Sequence, residues 1–234
     1  MEPIRRRRLY EEIAEQLERL IISGEFPAGS QLPSERDLMQ QLKVGRPAVR
    51  EALFALQKMG MVSLSNGERA MVIAPTASTV VNELSGAVRY FLSTPSGVRS
   101  LQDARAFLEI GLARYAAVHA SAEDLQHMKD RLEENERLVE NRELFPDSDV
   151  AFHLTIARIA NNPIFTTLNT AFAGWLRAQR SISAKAEGSQ RAACKAHRAI
   201  FDAIARRDPD AAERAMREHL EAVTDYYWQG EALR

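Results

Sequence analysis

A single cysteine, Cys194, stands in a chain of 234 residues. No disulfide within the chain can therefore staple the fold, and the thiol is expected to be a small packed side chain in a helical stretch. Long apolar runs are missing too. None approaches the roughly 20 residues a helix needs to span a bilayer, and the first residues lack the apolar core of a signal peptide. A soluble, cytoplasmic protein with no membrane partner is expected. Charge of one sign is also lacking: 31 basic against 32 acidic residues leave a formal charge of -1. Bulk electrostatics gives nucleic-acid binding no support, so any case for it must come from local placement. Residues 1–75 carry 11 basic and 10 acidic side chains, and Arg5 to Arg8 form the one basic run. That run reads equally as a solvated tail or as a phosphate-contacting arm.

What is present is a strict order of elements in the first third. Residues 10, 13, 14, 17, 20 and 21 are apolar, the spacing of an amphipathic helix that Gly24 ends. Pro33-Ser34-Glu35 opens a second helix, with Ser34 as cap and Asp37 as its reciprocal partner. A tight turn at Lys43-Val44-Gly45 leads to a third helix, where Pro47 suits the first turn because its missing N–H would have no helical partner there. Val49, Leu53, Leu56 and Met59 make its apolar face, and Gly60 closes it. Two short alternating runs, 62–64 and 71–73, flank Asn66-Gly67, a strong hairpin signal. This is the order of a winged helix-turn-helix.

A helix of that kind fits the major groove, with the side chains of its N-terminal end on base edges. Arg46, Pro47, Ala48 and Arg50 occupy that end. Arg36, on the preceding helix, is placed for phosphate or groove-edge contact, and Asn66, Gly67 and Arg69 mark the wing tip. These eight residues are the expected contacts with double-stranded operator DNA. The alternative is that the front domain docks protein and the arginines only solvate a surface.

Beyond Ala74-Pro75-Thr76 no strand is expected, so the chain divides into a winged domain, 1–75, and an all-helical bundle, 76–234. The fold class is mainly α. Helices are expected over 80–92, stopped by Thr94-Pro95-Ser96-Gly97, and over 101–120, with Leu101, Ala104, Leu108, Leu112 and Tyr115 inward. Further helices are expected from the Ser121 cap to 141, and over 146–160, 163–183, 189–207 and 209–228, giving six or seven in all. Asp149 and His153 are four apart and share a helical face. With His197 and His219 on two later helices they could meet inside a bundle and hold a divalent metal. Imidazoles with a carboxylate suit zinc, with nickel or manganese also possible. Such a metal could in principle activate water, but no general base is evident beside the ligands, and no enzymatic activity is expected. His119 and His127 fall outside the pattern.

The sequence resembles the GntR family of bacterial transcription factors. The matching blocks are Leu32-Pro33-Ser34-Glu35-Arg36, the stretch from Val44 to Leu53, and Asn66-Gly67. In the helical part, Asp149, His153, His197 and His219 match the FadR subfamily. The resemblance implies DNA contacts at Arg36, Arg46, Arg50 and Gly67, and a metal on the aspartate and three histidines. It implies that Arg105 meets an acidic effector, and that the protein works as a repressor and a homodimer. Val44 to Pro47, Asn66 to Ala70, Glu83 to Gly86, Arg114 to Ala117, Ser148 to Val150, Asn162 to Phe165 and Asp208 to Asp210 resemble the sialic-acid-responsive branch of the subfamily. They imply a small carboxylate effector such as a sialic or other sugar acid; a regulator of aromatic-acid catabolism is the alternative.

Overall fold

The computed structural model describes residues 8–65 and 67–232, which fall into two compact units, 1–80 and 81–234. In the first unit, α1 (Leu9–Ile22), α2 (Glu35–Leu42) and α3 (Arg46–Lys58) precede β1 (Val62–Ser63) and β2 (Met71–Val72). Ser34 accepts the Asp37 N–H at 3.2 Å and the Asp37 carboxylate accepts from the Ser34 N–H, the reciprocal cap the spacing implies. Lys43 turns the chain with φ 54, and Gly45 caps α3 ahead of Pro47. Ile13, Leu17, Leu38, Val49, Leu53 and Leu56 bury their side chains in one core with Leu32, Val62 and Val72. Each contributes roughly 1.5–3 kcal/mol by leaving water.

The wing differs from a two-residue hairpin. Val62 pairs with Val72 and Ser63 with Met71, so residues 64–70 form the connection. Gly67 within it has φ 80, and Asn66 lies outside the described residues. Asn-Gly marks a positive-φ turn but does not set loop length. A third segment joins the sheet: Leu32 N–H donates to the Ala70 carbonyl and Val72 N–H to the Ser30 carbonyl, both at 2.8 Å. The chain just before α2 is thereby tied to the root of the wing.

Beyond the wing the chain is helical, with more breaks than expected. The 80–92 stretch divides into α4 (Ala77–Asn82) and α5 (Ser85–Phe91). Ser78, Thr79, Val80 and Val81 have modest helix propensity, which favours a short first segment. The stretch stops ahead of Thr94-Pro95 as expected, and the same residues also open the next helix, six residues before the expected start at 101. Thr94 accepts the Gly97 N–H at 3.1 Å and Pro95 fills the first turn of α6 (Pro95–His119). A Cβ at Gly97 would run into the Phe91 carbonyl, so glycine is required where α5 meets α6.

Then follow α7 (Ala122–Arg137), capped by Ser121 and Asp124, and α8 (Phe145–Ile159). The 163–183 stretch is two helices, α9 (Pro163–Trp175) and α10 (Arg177–Ser183), parted at buried Leu176 just after Gly174. The unit ends with α11 (Ser189–Ala205) and α12 (Pro209–Ala232).

The inward face of α6 is not the expected stripe. Arg105, Glu109, Leu112, Ala113, Ala116 and Ala117 are buried, while Tyr115 is 42% and Phe107 87% exposed. Small residues let α6 approach the core closely, so its bulkiest apolar side chains are not those it buries. Ile110, Met128, Leu132, Phe152, Ile156, Ile200, Ile204 and Met216 complete the core. No helix of the described residues is long and apolar enough to cross a membrane.

Candidate DNA-reading face and metal centre

On the first unit, α2, α3 and the wing line one concave surface that holds Arg36, Arg46, Arg50, Gly67 and Arg69. Glu35 sits among them. Its carboxylate accepts from Arg46 Nε at 2.8 Å and lies 3.8 Å from Arg50 Nε, so one acid braces two arginines whose side chains remain 67% and 53% exposed. Pro47 is exposed at the start of α3, whereas Ala48 is half-buried against the core and only partly presented. Asn66, Arg5, Arg6 and Arg7 lie outside the described residues. The Ser34 hydroxyl holds the Asp37 carboxyl below its ordinary range.

In the second unit Asp149, His153, His197 and His219 meet, one ligand atom of each lying within 4.8 Å of all the others. Asp149 and His153 come from α8, His197 from α11 and His219 from α12. His219 Nε2 stands 3.2 Å from His153 Nε2 and 3.3 Å from His197 Nε2, and Asp149 Oδ1 is 3.5 Å from His197 Nε2. Nitrogens each about 2.0–2.1 Å from one zinc ion stand about 3 Å apart, so these separations suit a shared cation.

The surrounding hydrogen bonds fix the tautomers. Ser148 Oγ donates to the Phe145 carbonyl, so it accepts from Asn135 Nδ2, at 2.9 Å. Asn135 Oδ1 is then turned to His197 Nδ1, at 2.9 Å, which must carry the proton. The Cys194 thiol donates to the same Oδ1 at 3.4 Å, and burial pushes its pKa up to about 11. On the other side, His153 Nδ1 lies 2.6 Å from Glu109 Oε2. Burial alone would raise the Glu109 pKa, but Arg105, whose Nε donates to Oε1 at 2.7 Å, holds this carboxyl well below the carboxylate range. An ionised Glu109 makes His153 Nδ1 the protonated nitrogen. His197 Nε2 therefore aims a bare lone pair at the cluster, as metal ligation requires, and His153 Nε2 faces the same point. Burial, then the neighbouring imidazoles, lower the pKa of His219 and, with His153, that of His197, so both stay neutral.

Asp149 and His219 open onto a cavity bounded by α6, α8, α10, α11 and α12, which Arg105 and Arg180 also line. Arg105 is buried and tied to Glu109. Arg180 Nε, Ser189 Oγ and Gln190 Nε2 are buried with no hydrogen-bond partner among the described residues. Sequence reasoning named Arg105 but missed Glu109, Asn135 and Arg180. A carboxylate one helical turn after Arg105 was the available sign for Glu109; no spacing marks the other two. His119 and His127 are exposed and stand apart from the cluster, His119 stacking on Tyr115.

An exposed arginine-bearing helix beside a wing is the mark of a DNA-binding regulator. Residues 9–72 match the gntR family of bacterial regulatory proteins, and residues 100–222 match the FCD domain. The chain belongs to the GntR family. It is 44% identical to the HTH-type transcriptional repressor NanR of Escherichia coli (strain K12) over 224 residues, 95% of this chain and 85% of that protein. With the same repressor of Enterobacter sp. (strain 638) it shares 43%, over 95% of this chain and 86% of the relative. Among solved structures, Streptococcus agalactiae GntR superposes with a TM-score of 0.59 at 24% identity, covering 92% of this chain and 99% of the other. E. coli McbR/YncC gives 0.53 at 16%, covering 96% and 99%. Similarity at these identities speaks for the fold alone.

Proposed function

We propose that this protein is a metabolite-responsive repressor of a catabolic operon, acting in the cytoplasm as a homodimer. Arg46, Pro47, Ala48 and Arg50 read operator bases, Arg36 and Arg69 hold phosphates, and Asn66 and Gly67 bring the wing to the DNA backbone. Asp149, His153, His197 and His219 hold a divalent cation, zinc by donor chemistry. A small carboxylate, such as a sialic or other sugar acid, enters the cavity beside it and draws on the charge of Arg105. The metal would supply a fixed positive charge for that acid.

The observation that carries this reading is the convergence of lone pairs next to an arginine-lined cavity. Protein atoms alone leave that centre with an excess of acceptors, and a cation is what the donor set fits. The second copy is supported by α6, whose outer face carries Phe107, Tyr115 and Val118 in the open. An acid that binds one dimer geometry better than another would change the separation of the two recognition helices, and only such a difference in affinity can act as a switch.

A gel shift on DNA upstream of the protein's own gene, with and without sugar acids and aromatic acids, tests this. A retarded band that an acid releases is expected. No band on any upstream DNA would sink the proposal, and unchanged DNA affinity in Arg46→Ala and Arg50→Ala would point to a protein partner instead.

A further inference from the structure

We infer that Glu35 sets the sequence discrimination of the DNA-reading face: by tying Arg46 and Arg50 it keeps both guanidinium groups for base edges and off phosphates. This goes beyond the preceding reading and rests on Arg46 and Arg50 being base readers. Glu35 stands in the first turn of α2, half-buried, where the helix N-terminus favours a carboxylate. From there it reaches the start of α3. Its Oε2 accepts from Arg46 Nε at 2.8 Å, and its Oε1 lies 3.8 Å from Arg50 Nε. Different oxygens serve the two arginines, so both are held at once.

The tie is made at Nε in each case. The Nη groups at the tips stay uncommitted among the described residues. Those tips are the donor pairs that can meet guanine O6 and N7. A guanidinium fixed at its side and free at its tip is preorganised for that contact. Ion pairs this exposed contribute little to folding, so the effect of the tie lies in where the arginines point.

The acid also acts on the competing contact. Phosphates attract arginine whatever the sequence, and they dominate non-specific affinity. A phosphate approaching Arg46 or Arg50 meets the Glu35 carboxylate as well, and the two anions repel. A base edge carries no net charge and incurs no such penalty. Arg36 and Arg69, which serve phosphates in the preceding reading, form no ion pair among the described residues. The nearby Asp37 carboxylate instead accepts from the Ser34 hydroxyl at 2.6 Å. The acid thus sits on the base readers and not on the phosphate holders, which is the division that discrimination needs.

Fluorescence anisotropy of the full chain on two duplexes tests this: the upstream DNA retarded in the gel shift, and a shuffled duplex of the same length and composition. Glu35→Ala is expected to bind the shuffled duplex more tightly. The ratio of the two affinities is expected to fall about ten-fold or more, within the worth of one bidentate arginine–guanine contact. The slope of log affinity against log salt on the shuffled duplex should steepen by about one, as a released arginine takes a phosphate. Glu35→Gln keeps an acceptor for Arg46 but no charge, so its ratio should fall less. It is isosteric and carries the test if alanine disturbs α2, with circular dichroism as the check. Glu68→Gln removes an exposed charge from the same surface without altering the arginine tie, and its ratio should match the wild type. An unchanged ratio in both Glu35 variants, a loss of both affinities by one factor, or a fall in Glu68→Gln as large as in Glu35→Ala would each overturn the inference. Arg46→Ala and Arg50→Ala, measured alongside, separate the two readings. If they lose discrimination while Glu35→Ala keeps it, the inference fails alone; if both keep it, base reading by these arginines fails.

Discussion

The two units place their chemistry in opposite settings. In the first, Arg46 and Arg50 side chains are 67% and 53% exposed, and a single acid braces both. In the second, His153, His197 and His219 are 3%, 0% and 3% exposed, and the Glu109–Arg105 pair beneath them is nearly as deep. Solvated arginines cost little to keep, so their side chains are free to move. Buried imidazoles and carboxylates cannot be left unpaired, so every neighbour is constrained by the next. The difference is between a surface whose parts can be altered one at a time and a network whose parts cannot.

The largest effect that would sharpen this contrast is on metal. His219→Ala should reduce metal retained after dialysis from about one equivalent to near none, measured by elemental analysis; retention at the wild-type level would break the assignment. Next comes Glu109→Gln. It leaves Arg105 charged and buried without its partner, and should destabilise the helical unit by about 3–5 kcal/mol in urea unfolding. A loss under about 1 kcal/mol would mean the network is looser than its geometry implies.

At the surface, Arg46→Ala and Arg50→Ala should each weaken operator binding by about 1–3 kcal/mol, or roughly 5- to 150-fold, without lowering the melting temperature. A fall in melting temperature would show that the first unit is also a coupled network. Smaller again is Ser34→Ala, which removes a reciprocal helix cap and should cost about 1 kcal/mol.

Acidity also separates the units. His197 and His219 are held neutral below the ordinary value of 6.5, so the unfolded chain binds more protons than the folded one once pH falls under that value. Stability of the metal-free helical unit should then decline from about pH 6.5 downward and be insensitive above it. Thermal melts of chelated protein across pH 5–8 provide the measurement, and a flat profile through that window would contradict the neutral, buried assignment.

The same contrast explains what could be read from the sequence. The first unit is largely local in origin. Ser34 and Asp37 cap each other across three residues, Pro47 sits where helices begin, and the arginines are spaced along one short stretch. The buried cluster was partly local, with Asp149 and His153 four apart, but bringing in His197 and His219 needed the packing of α11 and α12. Asn135 was hidden in a charged helix because nothing in its neighbours distinguishes a buried amide from a solvated one. Arg180 was hidden by a helix break at Leu176 that no proline marks. The inward face of α6 was only partly placed: Leu112 is buried as expected, but Tyr115 stays exposed while the small Ala113, Ala116 and Ala117 go inside.

The relay from the Phe145 carbonyl through Ser148 and Asn135 to His197, with Glu109 acting likewise on His153, has a thermochemical consequence. His197 is held neutral with its proton on Nδ1, so a cation arriving at its Nε2 has no proton to displace there. His197 and the buried, neutral His219 should therefore release no proton on uptake near pH 7. The heat of metal binding, measured in buffers of very different ionisation enthalpy, should then differ by no more than the ionisation of about one proton.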